Sequence, residues 1–222
     1  MNTLINISTA RCFFFVFIML LLGSLGLIQA EATRLSDLPV VLQYSASEVL
    51  GRHQRGYQVE VQPNGIRAAT PAQDYATFFD AEGITLATGQ SRLTVQLTAV
   101  GYGERLTAVD PALPTGQNNR IEYRRGNVTE WYVNGPLGLQ QGFTLAQRPE
   151  PDFSMFAALT NEPLTLVLTI SAGWHAIVSA DARSLSLTNP GISLNYGGLI
   201  AVDATGEELP TRFNLDPNST DV

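Results

Sequence analysis

From Tyr57 onward, apolar and polar positions alternate with a period of two, in runs of four to eight residues ended by turn-forming residues. That alternation predicts half-buried β-strands. Tyr57-Gln-Val-Glu-Val-Gln62 stops at Pro63-Asn64-Gly65. Tyr75-Ala-Thr-Phe-Phe79 turns through Asp80 to Gly83 into Ile84-Thr-Leu-Ala-Thr88, a hairpin pattern. Arg92 to Val100 places Leu93, Val95, Leu97 and Ala99 on one face, and Pro163 to Ile170 repeats the device. Further strands are expected at Trp174 to Ala180, Ser184 to Thr188, Ile192 to Tyr196, Gly198 to Asp203 and Leu209 to Leu215, with a turn at Ala204 to Glu207.

The segment Arg120 to Asn134 permits the most detailed derivation. Gly126-Asn127 between two β-rich runs predicts a two-residue type II′ hairpin, because glycine accepts the positive φ of the first turn position. This register sets Tyr123 opposite Glu130 and Ile121 opposite Tyr132 on one face. Glu122 opposite Trp131, and Arg124 opposite Thr129, fall on the other. Helical periodicity is scarce. Ser36 to Arg52 is the best candidate, with Ser36 as cap, Pro39 in the first turn, Gly51 as stop, and Leu42, Ala46, Val49 and Leu50 on one face. Asp110 to Asn119 and Gln147 to Asn161 are rich in Pro, Asn and Asp and read as surface loops. Period-2 strands with regular turns predict an all-β fold, an antiparallel β-sandwich with one short N-terminal helix.

The first thirty residues follow a different pattern. A polar start carrying Arg11 runs into an unbroken apolar stretch from Cys12 to Ile28 and ends in small residues near Ala30 and Ala32. This is the layout of a secretory leader, with cleavage expected after Ala30 or Ala32. The apolar run, about 17 residues, is near the lower limit for spanning a bilayer, so membrane contact is expected only through an uncleaved leader. The expected organisation is a leader at 1–30, a segment with the helix at 31–56, a β-sandwich at 57–215 and a tail at 216–222. Roughly 190 residues would remain after cleavage, enough for one domain with a substantial core.

Composition sharpens this picture. The one cysteine, Cys12, lies within the leader, so the exported portion must rely on its core rather than on disulfides. All 13 basic residues are arginine against 20 carboxylates, which gives a net charge of −7. An acidic, lysine-free chain lacks the footprint of a nucleic-acid or anionic-membrane binder.

Reactive constellations are not evident. His53 and His175 stand far apart in sequence, without clustered Cys or His, so neither a zinc site nor a cofactor is expected. No Gly-x-Ser-x-Gly elbow occurs. Glu122 and Glu130 keep aromatic company, as glycosidase carboxylates do, and Asp152 is a third acidic candidate. In the predicted register, however, the two glutamates point to opposite faces. The expected structural role is a same-face ladder of alternating charge formed by Arg120, Glu122 and Arg124. Leu113-Pro-Thr-Gly116 lacks a residue of a sortase motif and sits mid-chain. The tail Asp216 to Asp221 has alternating oxygen ligands but neither the glycine nor the closing glutamate of a calcium loop.

The run Asn119 to Leu145, with Glu130-Trp-Tyr-Val-Asn-Gly-Pro136 at its centre, resembles a module found near the N-terminus of large secreted bacterial proteins that carry FG-GAP (integrin-α-type) repeats. The likeness continues through Pro163 to Ser171, Leu194-Asn-Tyr-Gly-Gly-Leu199 and Val202 to Pro210. It implies an all-β, exported, non-enzymatic module of a cell-surface or extracellular assembly. It supplies no catalytic residues. Proteins of that kind continue further, so a chain ending at Val222 is expected to be a shortened copy or a fragment. Trp131, Tyr132 and Trp174 are the candidate binding residues, as an exposed aromatic edge for protein or glycan. A secreted hydrolase on the same scaffold is the alternative expectation.

Overall fold

A computed structural model describes residues 2–7, 14–22, 40–103, 105–147 and 162–216. In chain order the elements begin with β1 (Asn2–Ile7), β2 (Phe14–Leu22) and the helix α1 (Val40–His53). There follow β3 (Val59–Gln62), β4 (Gly65–Thr70), β5 (Tyr75–Phe79), β6 (Ile84–Thr88), β7 (Ser91–Tyr102) and β8 (Arg105–Ala108). Next come β9 (Thr115–Gln117), β10 (Arg120–Arg125), β11 (Val128–Gly135), β12 (Gly138–Leu145) and β13 (Leu164–Ile170). The last are β14 (His175–Val178), β15 (Ser184–Asn189), β16 (Ile192–Val202), β17 (Glu208–Leu209) and β18 (Thr211–Leu215).

These strands form two antiparallel sheets, as the alternation predicts. One runs β18-β1-β13-β7-β6-β5-β4-β3, with β8 also on β7. The other runs β14-β15-β16-β2-β12-β11-β10-β9, with β17 also on β16. The sheets stack in the same order, with β18 against β14 and β16 at one end and β3 against β9 at the other. Between them lies one apolar core, to which Phe79, Leu97 and Leu166 contribute from the first sheet and Ile121, Phe143 and Leu194 from the second. Polar clasps also cross the gap: Tyr75 Oη accepts from the Leu139 amide at 2.7 Å, and Tyr123 Oη donates to the Gly83 carbonyl at 2.7 Å.

Several expectations are corrected in detail. Leu93, Val95 and Leu97 face the core, but Ala99 does not. The register between β7 and β13 shifts beyond Leu97, leaving Thr98 unpaired, so Val100 and Tyr102 turn inward instead. The expected pair 192–196 and 198–203 is one strand, β16, with an irregularity between Gly197 and Ile200. Strand β4 and the short β9, inside an expected loop, were not legible as alternation. Of the other expected loop, 148–161 lies outside the described residues, as do Ser36 and Pro39.

The helix packs by a different face from the one expected. Tyr44, Ser47 and Gly51 are buried, whereas Leu42 and Val49 are each 53% exposed and Leu50 is 39% exposed. Close backbone approach explains the choice. A Cβ on Gly51 would lie 2.2 Å from the Asn134 carbonyl oxygen, and one on Gly135 would lie 2.4 Å from Ser47 Oγ. Only the small-residue face of α1 can sit so close to β11.

Two further strands come from the N-terminal stretch. Strand β1 pairs with both β13 and β18, and β2 with both β12 and β16. In this chain the sandwich therefore draws strands from residue 2 onward, not from Tyr57 alone. A short apolar run satisfies a strand inside a sheet as readily as the apolar region of a leader, and periodicity alone does not separate the two.

Candidate functional site

The β10–β11 hairpin carries the chemistry that the sequence singled out. Its register matches the derivation: Tyr123 pairs with Glu130, Ile121 with Tyr132, Glu122 with Trp131 and Arg124 with Thr129. Gly126 has φ +60°, and Asn127 is not among the positive-φ residues, as a type II′ turn requires. The hairpin thus has an inner face toward the core and an outer face shared between helix α1 and solvent.

On the inner face sits a buried polar network. Tyr132 Oη donates to Glu130 Oε1 at 2.6 Å, and Gln141 Nε2 donates to the same oxygen at 2.8 Å. Tyr196 Oη, from β16, donates to Gln141 Oε1 at 2.6 Å. Arg125 Nε lies 3.4 Å from Glu130 Oε2, close enough for ion-pair attraction but without hydrogen-bond alignment. The Arg125 guanidinium also stacks 4.7 Å over the Tyr123 ring and donates to the Asp110 carbonyl. Burial pushes the Glu130 carboxyl above the ordinary carboxylate range, against the opposing pull of these hydrogen bonds and of Arg125. Arg125 and Gln141 are not among the residues that sequence motifs single out. The parity of Ile121, Tyr123 and Arg125 already placed that arginine inward, on the same face as Glu130.

The outer face forms the expected charge ladder. Glu122 accepts from Arg120 Nε at 2.8 Å and from Arg124 Nη2 at 3.4 Å. The Arg120 hydrogen bond outweighs partial burial and holds the Glu122 carboxyl below its usual range. A carboxylate so held stays ionised and is a poor proton donor. Glu122 and Glu130 lie on opposite faces of the sheet and do not flank a common space; Asp152 lies outside the described residues.

The three candidate aromatics do not form an exposed edge. Trp131 is 4% exposed, Tyr132 0% and Trp174 2%. Trp131 lies flat on Gly142, where a Cβ would fall 2.1 Å from the indole ring, and Arg120 stacks above it at 4.6 Å. Tyr132 packs edge-on against Phe79 at 5.0 Å in the core. Trp174 donates to the Arg92 carbonyl at 2.8 Å, tying the entry to β14 to β7 of the other sheet. Each large ring found apolar cover and a partner for its polar atom, so the rings serve packing.

Beside the ladder, at the β9–β10 edge, lies an open cleft of about 690 Å³ whose lining includes Arg52, Gln117, Asn118, Arg120, Glu122 and Arg124. Helix α1 contributes Arg52, which pairs with Glu48 at 2.9 Å. Asn118 adopts φ +55° at the turn between β9 and β10. The Asn119 amide, by contrast, is committed to the Glu48 and Asn134 carbonyls and fixes helix to hairpin. The cleft therefore presents three guanidiniums, several amides and one ionised carboxylate, a surplus of donors suited to hydroxyl and carboxylate oxygens. The sequence revealed the ladder, but not that a loop and a helix end would wall it. Elsewhere, His53 Nδ1 lies 2.8 Å from the Val49 carbonyl and His175 sits on exposed β14. Among the described residues no group of three or more His, Cys, Asp or Glu is placed to hold a metal, and no helix is long and apolar enough to cross a membrane. No protein-family model, curated protein or solved structure matches the chain.

Proposed function

We propose that this chain is an exported, non-enzymatic β-module that acts by surface contact with carbohydrate or protein, through the cleft between β9–β10 and the end of α1. The observation that carries this reading is the cleft itself: an open, donor-rich surface on a rigid two-sheet scaffold, with Glu122 pinned by two arginines. The leader-like first thirty residues support export. The likeness of Asn119 to Leu145 to the module of FG-GAP repeat proteins supports a role at a bacterial cell surface. Donor surplus favours ligands bearing carboxylates, uronate-containing glycans foremost.

The test is a glycan-array screen that includes uronic-acid oligosaccharides, followed by titration of a hit against wild type and the Arg52→Ser/Arg124→Ser double variant. Both side chains are solvent-exposed, so stability should change by less than about 0.5 kcal/mol per site. Affinity should fall by roughly tenfold or more, as expected when charge-assisted hydrogen bonds are lost. Turnover of a glycan by wild type, undiminished in the double variant, would contradict the proposal.

A further inference from the structure

Arg124, whose side chain is 79% exposed, lines the cleft described above and also a second one. The second is an open cleft of about 560 Å³ at the β10–β11 turn, and its lining includes Val100, Ala108, Val109, Pro111 and Gln147. We propose that the two clefts form one track for an extended uronate-containing oligosaccharide. Arg124 takes a carboxylate at the junction, and the second cleft takes the sugar units beyond it. The inference rests on the carbohydrate reading of the first cleft. Each cleft alone lies within the roughly 300–1,000 Å³ of a site for one small ligand. A pair joined through one cation suits a longer chain.

The second cleft has fixed walls. Its loop wall is fastened at three points: the Val109 amide donates to the Thr98 carbonyl at 2.9 Å, the Ala112 amide to the Ala81 carbonyl at 3.2 Å, and Arg125 Nη1 to the Asp110 carbonyl at 2.6 Å. Thr98 is the unpaired residue at the β7 irregularity. That irregularity turns Val100 inward and leaves a carbonyl for the loop, the kind of local re-aiming that bulges supply beside binding sites. On the other wall, the Asn127 side chain holds both the amide and the carbonyl of Gln147. Walls held before a ligand arrives lower the ordering cost of binding. The two linings also differ in chemistry. The first is rich in donors, whereas Val100, Val109 and Pro111 give the second an apolar surface beside Arg124. A uronate unit has the matching pair of features, a carboxylate and an apolar C–H face on its ring. Charge points the same way. The two linings together hold four arginines against two carboxylates, Glu122 and Asp110, on a chain of net charge −7.

The test is calorimetric titration of the full chain with digalacturonate and hexagalacturonate. The hexamer should bind about a hundredfold tighter than the dimer, well beyond the roughly fivefold statistical gain from overlapping placements on a longer chain. Ala108→Glu and Pro111→Glu each put a negative charge at an exposed position of the second cleft. Either variant, with its Tm unchanged, should lose most of the hexamer's advantage while keeping the wild-type affinity for the dimer. Dimer binding with a hexamer gain no larger than statistical would overturn the track and leave the first cleft as a carbohydrate site. A large gain that survives in both variants would place the added sugar units elsewhere and overturn the second cleft. Absence of binding by either probe would overturn the carbohydrate reading and the track together.

Discussion

At the scale of single residues, the buried Glu130 departs from the ordinary behaviour of a carboxylate. Its carboxyl touches Tyr132 and Gln141 and faces Arg125, all inside the sandwich. Burial raises its folded pKa above the unfolded value of 4.5, so the folded state holds this proton more tightly than the unfolded chain does. The stabilisation linked to that proton is full below pH 4.5 and is lost as pH rises through the folded pKa. Glu130→Gln cannot titrate. The difference in Tm, variant minus wild type, is therefore expected to become more positive as pH is raised from about 4 to about 7. A difference that stays flat or shrinks over that range would mean that Arg125 and the hydrogen bonds outweigh burial. Isolated sequence positions could not announce this network, because it joins β10, β11, β12 and β16. Only the inward parity of Arg125 and Glu130 was available, and it pointed to the right face.

At the scale of elements, legibility tracks how local the deciding physics is. The β10–β11 hairpin was readable to the residue because strand alternation and one glycine turn fix its register. The bulge at Thr98 was not, since its cause lies in the pairing of β7 with β13, far away in sequence. Helix α1 shows the same limit more sharply. Its most apolar stripe faces out because Ser47 and Gly51 permit a closer approach to β11 than leucine would. This makes a contrasting pair of predictions. Gly51→Ala adds a methyl 2.2 Å from a carbonyl oxygen. Overpacking against rigid backbone costs about 3 kcal/mol, against a helix-propensity gain of at most about 1 kcal/mol. Urea denaturation should therefore show a net loss of about 2 kcal/mol, the balance of those two effects. Leu42→Ser, which removes the larger side chain, should change stability by less than about 0.5 kcal/mol because Leu42 meets solvent. The reverse ranking would mean that α1 docks by its leucines.

At the scale of the whole molecule, the all-β sandwich was legible from period and turns, but the origin of two of its strands was not. Residues 2–7 and 14–22 look like export chemistry in sequence and behave as sheet strands in the structure, because unbroken apolarity meets both demands. The aromatic rings depart from the expected exposed edge for a related reason. Trp131, Tyr132 and Trp174 have the size for a contact face, yet Tyr132 and Trp174 fill the core between the sheets and Trp131 is covered by Arg120 on the outer face. Beside the charge ladder, what meets solvent is arginine, amide and loop, and the proposed contact function is placed there. In the full chain both sheets are closed by the N-terminal strands β1 and β2. Hydrogen exchange followed by mass spectrometry on the full-length chain tests this most directly. The expected result is slow exchange in peptides covering residues 2–7 and 14–22, within about tenfold of those from β13 and β12, since interior strands open only with the sheet. Exchange there at the rate of an unstructured peptide, with β13 and β12 still protected, would contradict it.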